Sequence, residues 1–249
     1  MATVAVLADP PVEGFVLGDV AESTPLSERE GAQLYSAMLI DVCRAVQLGG
    51  ATLLVNFRAP EQVPEGVNPE AQLRALLGET LERPDEARYE VQVGETVAGR
   101  VGNTVAHLLD REAVDTAAAV TPGAAFLTRE LVGSAAMKLR SSEVVLGPAA
   151  DGRVYYAGFR EPIDFTDAYE PPAVETLTDR AAEADLDVDF LPMTPLVETG
   201  SDLVTAVAHV RARLRAGRNV PPRTASFVDE HGLGVAEDAD GLHLTRDSE

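Results

Sequence analysis

The sequence predicts an α/β layered fold around a mainly parallel sheet. Short apolar runs of strand length alternate with segments of helical period along most of the chain, the pattern of strand–helix–strand units. The chain has 249 residues and is 45% apolar, ample for one sizeable core and incompatible with disorder. Glycine and proline punctuate the ends of the periodic segments.

The elements follow in order. Thr3–Ala8 is an apolar first strand that runs straight into Asp9 with no basic segment before it, so it reads as a buried strand and not as a signal peptide. Ser27–Leu48 is a long helix with Leu34, Met38, Val42 and Ala45 at helical spacing, ended by Gly49-Gly50. Ala51–Arg58 is the second strand, Asn68–Glu82 a helix and Arg88–Val93 the third strand. Thr96–Asp110 is helical despite Gly99 and Gly102, and Asp115–Thr121 is a fourth strand stopped by Pro122-Gly123. Thr128 caps a helix running through Leu139. Glu143–Gly147 is a strand ended by Pro148, Asp151-Gly152 a turn, and Arg153–Phe159 another strand. Pro171–Asp185 holds a helix and Val188–Leu191 a further strand. Ser201–Arg215 buries Leu203, Val207, Val210 and Leu214 and carries Arg211, Arg213 and Arg215 near its C-terminus, where cations suit the helix dipole. Beyond Gly217 the pattern breaks at Pro221-Pro222, and Gly232–Asp247 predicts a small hairpin about Asp240-Gly241. The expected organisation is one domain over 1–216 and a short C-terminal appendage over 217–249.

Acidic residues number 41 against 20 basic ones, for a formal net charge of −21, and Lys138 is the single lysine. Nucleic acid and anionic membrane surfaces both require clustered cations, so neither is expected as a partner. No run of 18 apolar residues predicts a membrane span. Cys43 alone cannot make an internal disulfide or a cysteine-built zinc site. These features together predict a cytoplasmic protein. Such a charge repels itself in dilute buffer, whereas at molar salt the Debye length falls to about 3 Å. Acid excess with almost no lysine therefore predicts a halophilic protein of a salt-filled cytoplasm.

In an open parallel sheet, ligands bind beyond the C-terminal ends of the strands. The segments of interest are Asp9–Thr24, Thr121–Phe126, Gly147–Arg153 and Pro195–Ser201. They hold no Gly-x-Gly-x-x-Gly helix start, no phosphate-cradling loop ending in Gly-Lys-Ser/Thr and no Gly-x-Ser-x-Gly elbow. His107, His209, His231 and His243 lack metal-ligand spacing, and Cys43 reads as a small core residue.

Val144–Gly152 followed by Tyr155 places Gly147-Pro148-Ala149-Ala150-Asp151-Gly152 at a strand end. This resembles the strand–Gly-Pro-x-x-Asp-Gly-Gly-Tyr-Tyr signature of glycosyltransferase-A-like nucleotide-diphospho-sugar transferases. That group is associated with radical-SAM and selenium clusters and is related to phospholactate guanylyltransferases. Leu127-Thr128-Arg129-Glu130-Leu131, Val197-Glu198-Thr199 with Asp202-Leu203, Pro11 with Gly14, and Arg100 resemble further family pieces in the same order. The resemblance spans roughly residues 3–215. It implies a glycosyltransferase-A fold and transfer of a sugar or nucleotidyl group, with Mg²⁺ or Mn²⁺ bridging a nucleotide or nucleotide-sugar ligand. It makes Asp151 a candidate catalytic residue, Glu198 a candidate metal ligand, and Arg100, Gly14, Gly147, Pro148 and Gly152 candidate nucleotide contacts.

The departures fall on the charged groups. The family's first-loop Lys-Thr-Arg-Leu is Leu17-Gly18-Asp19-Val20, its metal aspartate aligns with Gly123, and the first of its late acids becomes Leu196. Two readings of the remaining acids stay open. In one, Glu198 ligates a metal and Asp151 orients an acceptor hydroxyl or acts as base. In the other, Asp151 makes a turn, Glu198 is a solvated loop acid, and the chain binds a ligand or protein without catalysis. Arg100 and Arg153 likewise meet either phosphate oxygens or neighbouring acids.

Overall fold

The computed structural model describes residues 2–239 and 241–246. Seven strands form one sheet: β1 (Ala2–Ala8), β2 (Thr52–Phe57), β3 (Arg88–Val91), β4 (Thr116–Val120), β5 (Val144–Pro148), β6 (Val154–Phe159) and β7 (Val188–Phe190). Their spatial order is β3-β2-β1-β4-β6-β5-β7. All neighbours are parallel except β6, which runs antiparallel between β4 and β5. The fold is thus a three-layer α/β fold on a mainly parallel sheet.

Both faces of the sheet are covered, which is why its strands read as continuous apolar runs rather than alternating ones. Val4 and Val6 of β1 join a core with Leu39 and Val42 of α2 (Glu28–Leu48), Leu73 and Leu77 of α3 (Pro69–Gly78), and Val132 and Ala135 of α5 (Arg129–Lys138). The opposite-facing Ala5 and Leu7 join Val101 and Val105 of α4 (Val97–Ala106) and Leu177 and Ala181 of α6 (Ala173–Glu183). A third core lies outside the sheet. There Leu34 and Met38 of α2 meet Leu203, Val207 and Val210 of α7 (Gly200–Arg215). Cys43 is buried in the first core, where desolvation pushes its thiol pKa up, as a structural cysteine requires.

Four features differ from the sequence expectation. Leu214, expected on the inner stripe of Ser201–Arg215, is 49% exposed. A short helix α1 (Gly18–Ser23) follows the first loop, which shows no helical period. The strand after the Asp151-Gly152 turn pairs antiparallel on both sides, so one strand of the sheet runs against the rest. Pro221-Pro222 opens a helix instead of only breaking one: α8 (Pro222–Glu230) places Pro222 at its first position, where a missing N–H costs nothing. The hairpin is present as β8 (Leu233–Asp238) and β9 (Gly241–Arg246), whereas Asp240 and Asp247 lie outside the described residues.

The segment 222–246 packs on α2 and α7. Phe227, Val228, Leu233 and Leu244 enter the third core. Asp41 of α2 caps α8 from outside: its carboxylate accepts the Arg223 and Thr224 N–H groups at 3.0 and 2.8 Å and the Thr224 hydroxyl at 2.8 Å. A buried carboxylate there satisfies amides that α8 leaves open, and its charge suits the positive end of the helix. No helix among the described residues is long and apolar enough to cross a membrane.

Candidate functional site

The parallel arrangement brings the ends of β1, β2, β3 and β4 to one side of the sheet. There Asp9, Arg58, Gln92, Thr121 and Gly123 line a cavity of about 180 Å³ together with Tyr35 of α2, Arg100 of α4 and Glu198. The first-loop residue Leu17 supplies part of the wall, and the cations come from β2 and α4 instead.

Asp9 is held on two sides. The Tyr35 hydroxyl accepts its backbone N–H at 2.7 Å, and Arg58 Nε lies 2.6 Å from its Oδ1. Burial nevertheless raises the Asp9 pKa above the ordinary carboxylate value, against the pull of Arg58 and Arg100. Burial lowers the Arg100 pKa, and the Arg58 charge adds to that. Arg100 Nη1 donates to the Glu95 carbonyl at 3.0 Å. The Gln92 side-chain amide donates to the Asn56 carbonyl at 2.6 Å.

Six buried side-chain polar atoms among the described residues lack a hydrogen-bond partner, and four of them line this cavity: Asp9 Oδ1, Gln92 Oε1, Arg100 Nε and Thr121 Oγ1. The Asp9–Arg58 contact is an ion pair without an aligned hydrogen bond. Unpartnered buried polar atoms are rare in native proteins and each costs about 1–3 kcal/mol. Donors and acceptors of both kinds are thus concentrated where a polar ligand can meet them.

A second constellation adjoins the first. Arg153, 18% exposed, bonds Asp202 with both Nη atoms, Nη2 to Oδ1 at 2.6 Å and Nη1 to Oδ2 at 2.9 Å. Nη1 also reaches Glu198 at 3.1 Å, Nη2 reaches Asp151 at 3.4 Å, and Nε donates to the Ala150 carbonyl at 3.2 Å. Asp202 further accepts the Glu198 and Thr199 N–H groups and the Thr199 hydroxyl, completing the N-terminal cap of α7. Despite the cost of burial, these bonds hold its pKa down to about 2. Of the two partners open to Arg153, the structure gives it acids.

The residues singled out from sequence divide between the two places. Arg100 and Glu198 line the cavity. Gly147 and Pro148 end β5, and Asp151 and Gly152 lie in the turn into β6, with the Asp151 side chain 83% exposed and its backbone left-handed at φ 58°. The Gly147 backbone lies directly under the Tyr155 ring, where a Cβ would come within 2.6 Å of it. Gly14 sits in the first loop beside the Glu28 carboxylate and not on the cavity wall. Asp9, Arg58 and Gln92 were not singled out as ligand-contacting residues, although extending the strand-end rule to β2 and β3 reaches Arg58 and Gln92 directly.

The acids do not fit a divalent cation as they stand. The Arg153 guanidinium already lies among all three. Gly123, where the resemblance carries a metal aspartate, cannot take a side chain, because a Cβ would lie 2.5 Å from the Val197 carbonyl oxygen. That close approach is fixed by the Val197 N–H bond to the Gly123 carbonyl at 2.9 Å. Elsewhere Glu90, His107 and Glu112 converge closely enough to hold a metal, a group that spacing along the chain does not reveal. Arg88 pairs with both glutamates of that group.

No family model matches the chain, and no curated protein matches it in sequence. Solved structures do. One is a protein from Desulfovibrio desulfuricans G20 provisionally named a nucleotide-diphospho-sugar transferase, with a TM-score of 0.73 and 21% identity over 92% of this chain and 94% of that one. Another is a cytidylyltransferase from Leptospira borgpetersenii serovar Hardjo-bovis, with a TM-score of 0.51 and 7% identity over 92% of this chain and 94% of that one. The fold is therefore that of nucleotide-diphospho-sugar transferase-like proteins.

Proposed function

We propose that the chain is a nucleotide-binding relative of the nucleotidyl- and sugar-transferase fold, and that the strand-end cavity holds a polar portion of a nucleotide or nucleotide sugar. The observation that carries this reading is the set of buried atoms of Gln92, Arg100 and Thr121 that lack a partner in one cavity, beside the Asp9–Arg58 ion pair. Arg100, whose guanidinium bonds a backbone carbonyl and no carboxylate, supplies the local positive charge that an anionic ligand needs on so acidic a chain, whereas Arg58 is paired with Asp9. The names of the fold's relatives support the ligand class.

A metal-dependent transferase of the radical-SAM-associated group is the second reading, favoured by the position of Glu198 on the cavity wall. It requires Glu198 to exchange Arg153 for Mg²⁺ or Mn²⁺ and Asp151 to serve an acceptor hydroxyl.

The two separate by thermal unfolding in molar KCl with nucleoside di- and triphosphates and nucleotide sugars, in EDTA or in Mg²⁺. A ligand at 100 times its dissociation constant adds about 2.7 kcal/mol of stability. Stabilisation in EDTA, lost in Arg100→Met, is expected. No response to any nucleotide contradicts both readings, and a response confined to Mg²⁺ and lost in Glu198→Ala favours the second. The net charge of −21 and single lysine support, in the same proposal, a salt-filled cytoplasm as the protein's setting. Stability should then rise with KCl in denaturant titrations, and full stability in dilute buffer would count against that placement.

A further inference from the structure

We infer that a second cavity, between the C-terminal half of α2, the loop from β4 into α5 and the segment 219–222, is a binding site for a small amphipathic anion: an apolar ring or chain carrying one carboxylate. This cavity shares no lining residue with the one at the strand ends, and the inference does not rest on the nucleotide reading.

Three features carry it. The first is an apolar wall around about 240 Å³, supplied by Ala45 and Leu48 of α2, Phe126 and Leu127 of the loop, and Val220 and Pro221. An apolar cavity of about 150 Å³ takes a benzene ring, so this one has room for a ring or short chain and its head group. The second is charge. Arg44 of α2, Arg129 of α5 and Arg213 of α7 line the same cavity, on a chain whose acids outnumber its bases two to one. Arg44 and Arg129 lean on Glu82 and Glu130, whose side chains are 59% and 63% exposed, and such surface pairs are weak. No carboxylate pairs with Arg213 among the described residues. Its Nε donates to the Asn219 carbonyl at 2.8 Å, which anchors the guanidinium and leaves both Nη groups free to donate. One acid-free guanidinium matches one carboxylate, which it can meet with two parallel bonds. The acids on the wall do not compete for it: Glu130 pairs with Arg129, and Asp41 is committed to the α8 amides. The third feature is that the site is preformed. The bonds from the Arg223 and Thr224 N–H groups to Asp41 fix 220–222 beside α2, so the C-terminal segment closes one side of the cavity. A neutral apolar molecule leaves Arg213 unused, and a small inorganic anion leaves the apolar wall uncovered. A molecule with both parts uses the whole site.

The test is a titration of the full chain in molar KCl with octanoate, 1-octanol and acetate, read by ligand-observed NMR and by thermal unfolding. Octanoate should bind saturably, and octanol and acetate at least about tenfold more weakly, because each lacks one half of what the site recognises. Arg213→Met should weaken octanoate binding at least about tenfold, and Leu48→Glu, which puts a like charge on the wall, should abolish it. Both side chains are exposed, so the two variants should keep the wild-type unfolding curve. The inference is overturned by any of three results: no saturable octanoate binding, octanol or acetate binding as tightly as octanoate, or octanoate affinity unchanged in either variant. The comparison of probes needs only the wild-type chain and decides the matter even where a variant fails to fold. No probe is a nucleotide, so failure here is distinct from failure of the nucleotide reading.

Discussion

The cavity at the ends of β1 to β4 and the cluster around Arg153 share Glu198 and are both rich in charge, yet they are built in opposite ways. Around Arg153 every carboxylate meets a cation or a backbone amide, and the result fastens the β5–β6 turn to the start of α7. At the cavity, Gln92, Arg100 and Thr121 each keep a buried atom without a partner, and Asp9 Oδ1 has only its ion pair with Arg58. A satisfied network holds structure together, whereas unsatisfied atoms are carried at a cost that a ligand can recover. Charge alone does not separate a binding site from a clamp; the state of the hydrogen-bonding groups does.

The contrast breaks most visibly under substitution of the two arginines. Arg153→Met leaves Asp202 buried with its main cation gone and should cost about 3 kcal/mol. Arg100→Met removes a desolvated charge that has no carboxylate bonded to it, and its stability should stay within about 1 kcal/mol of the wild type or rise. Denaturant unfolding of the two variants measures both. Equal losses would erase the distinction between clamp and cavity.

Acid titration sharpens it with opposite signs. The Asp202 pKa is near 2 folded against an ordinary 3.8, so its stabilisation is complete above 3.8 and is lost as the pH falls through about 2. That difference corresponds to about 2 kcal/mol, missing in Asp202→Asn. Asp9 has a raised pKa, so its charge disfavours the folded state above that pKa, and protonation on lowering the pH relieves it. Unfolding free energies from pH 6 to pH 2 for wild type, Asp202→Asn and Asp9→Asn should show the first variant losing less stability than wild type and the second losing more. A smaller effect belongs to the other satisfied carboxylate, Asp41. Asp41→Ala uncovers the α8 amides and should cost about 1–2 kcal/mol, read by the same unfolding curves. No described residue of 222–246 lines the strand-end cavity, so nucleotide affinity should not change in that variant.

Most of the sheet was legible because its strands are covered on both faces and so appear as uninterrupted apolar runs, as at Leu53–Val55 and Val144–Leu146. The direction of β6 was not, because it depends on β6 entering between β4 and β5, a pairing with a strand some forty residues away in sequence. Helix α8 was hidden by its prolines, whose helix-starting role depends on Asp41, 182 residues earlier, receiving the next amide. At the site, Arg100 and Glu198 were found by resemblance, and both line the cavity. Arg58 and Gln92 belong to no motif, and only the parallel register of β1, β2 and β3 brings them to Asp9. Gly123 was legible as a lost acid. That the Val197 carbonyl fills the space was not, since it is a contact between segments distant in sequence.

The most direct measurement is calorimetric titration of wild type and Arg100→Met in molar KCl and EDTA, using the nucleotide that gives the largest thermal shift. Wild type should bind without divalent metal, and the variant should bind at least about tenfold more weakly, with its unfolding curve unchanged within about 1 kcal/mol. Binding that is absent in EDTA and restored by Mg²⁺, or equal affinity in the two chains, would contradict a metal-independent site built on Asp9, Gln92 and Arg100.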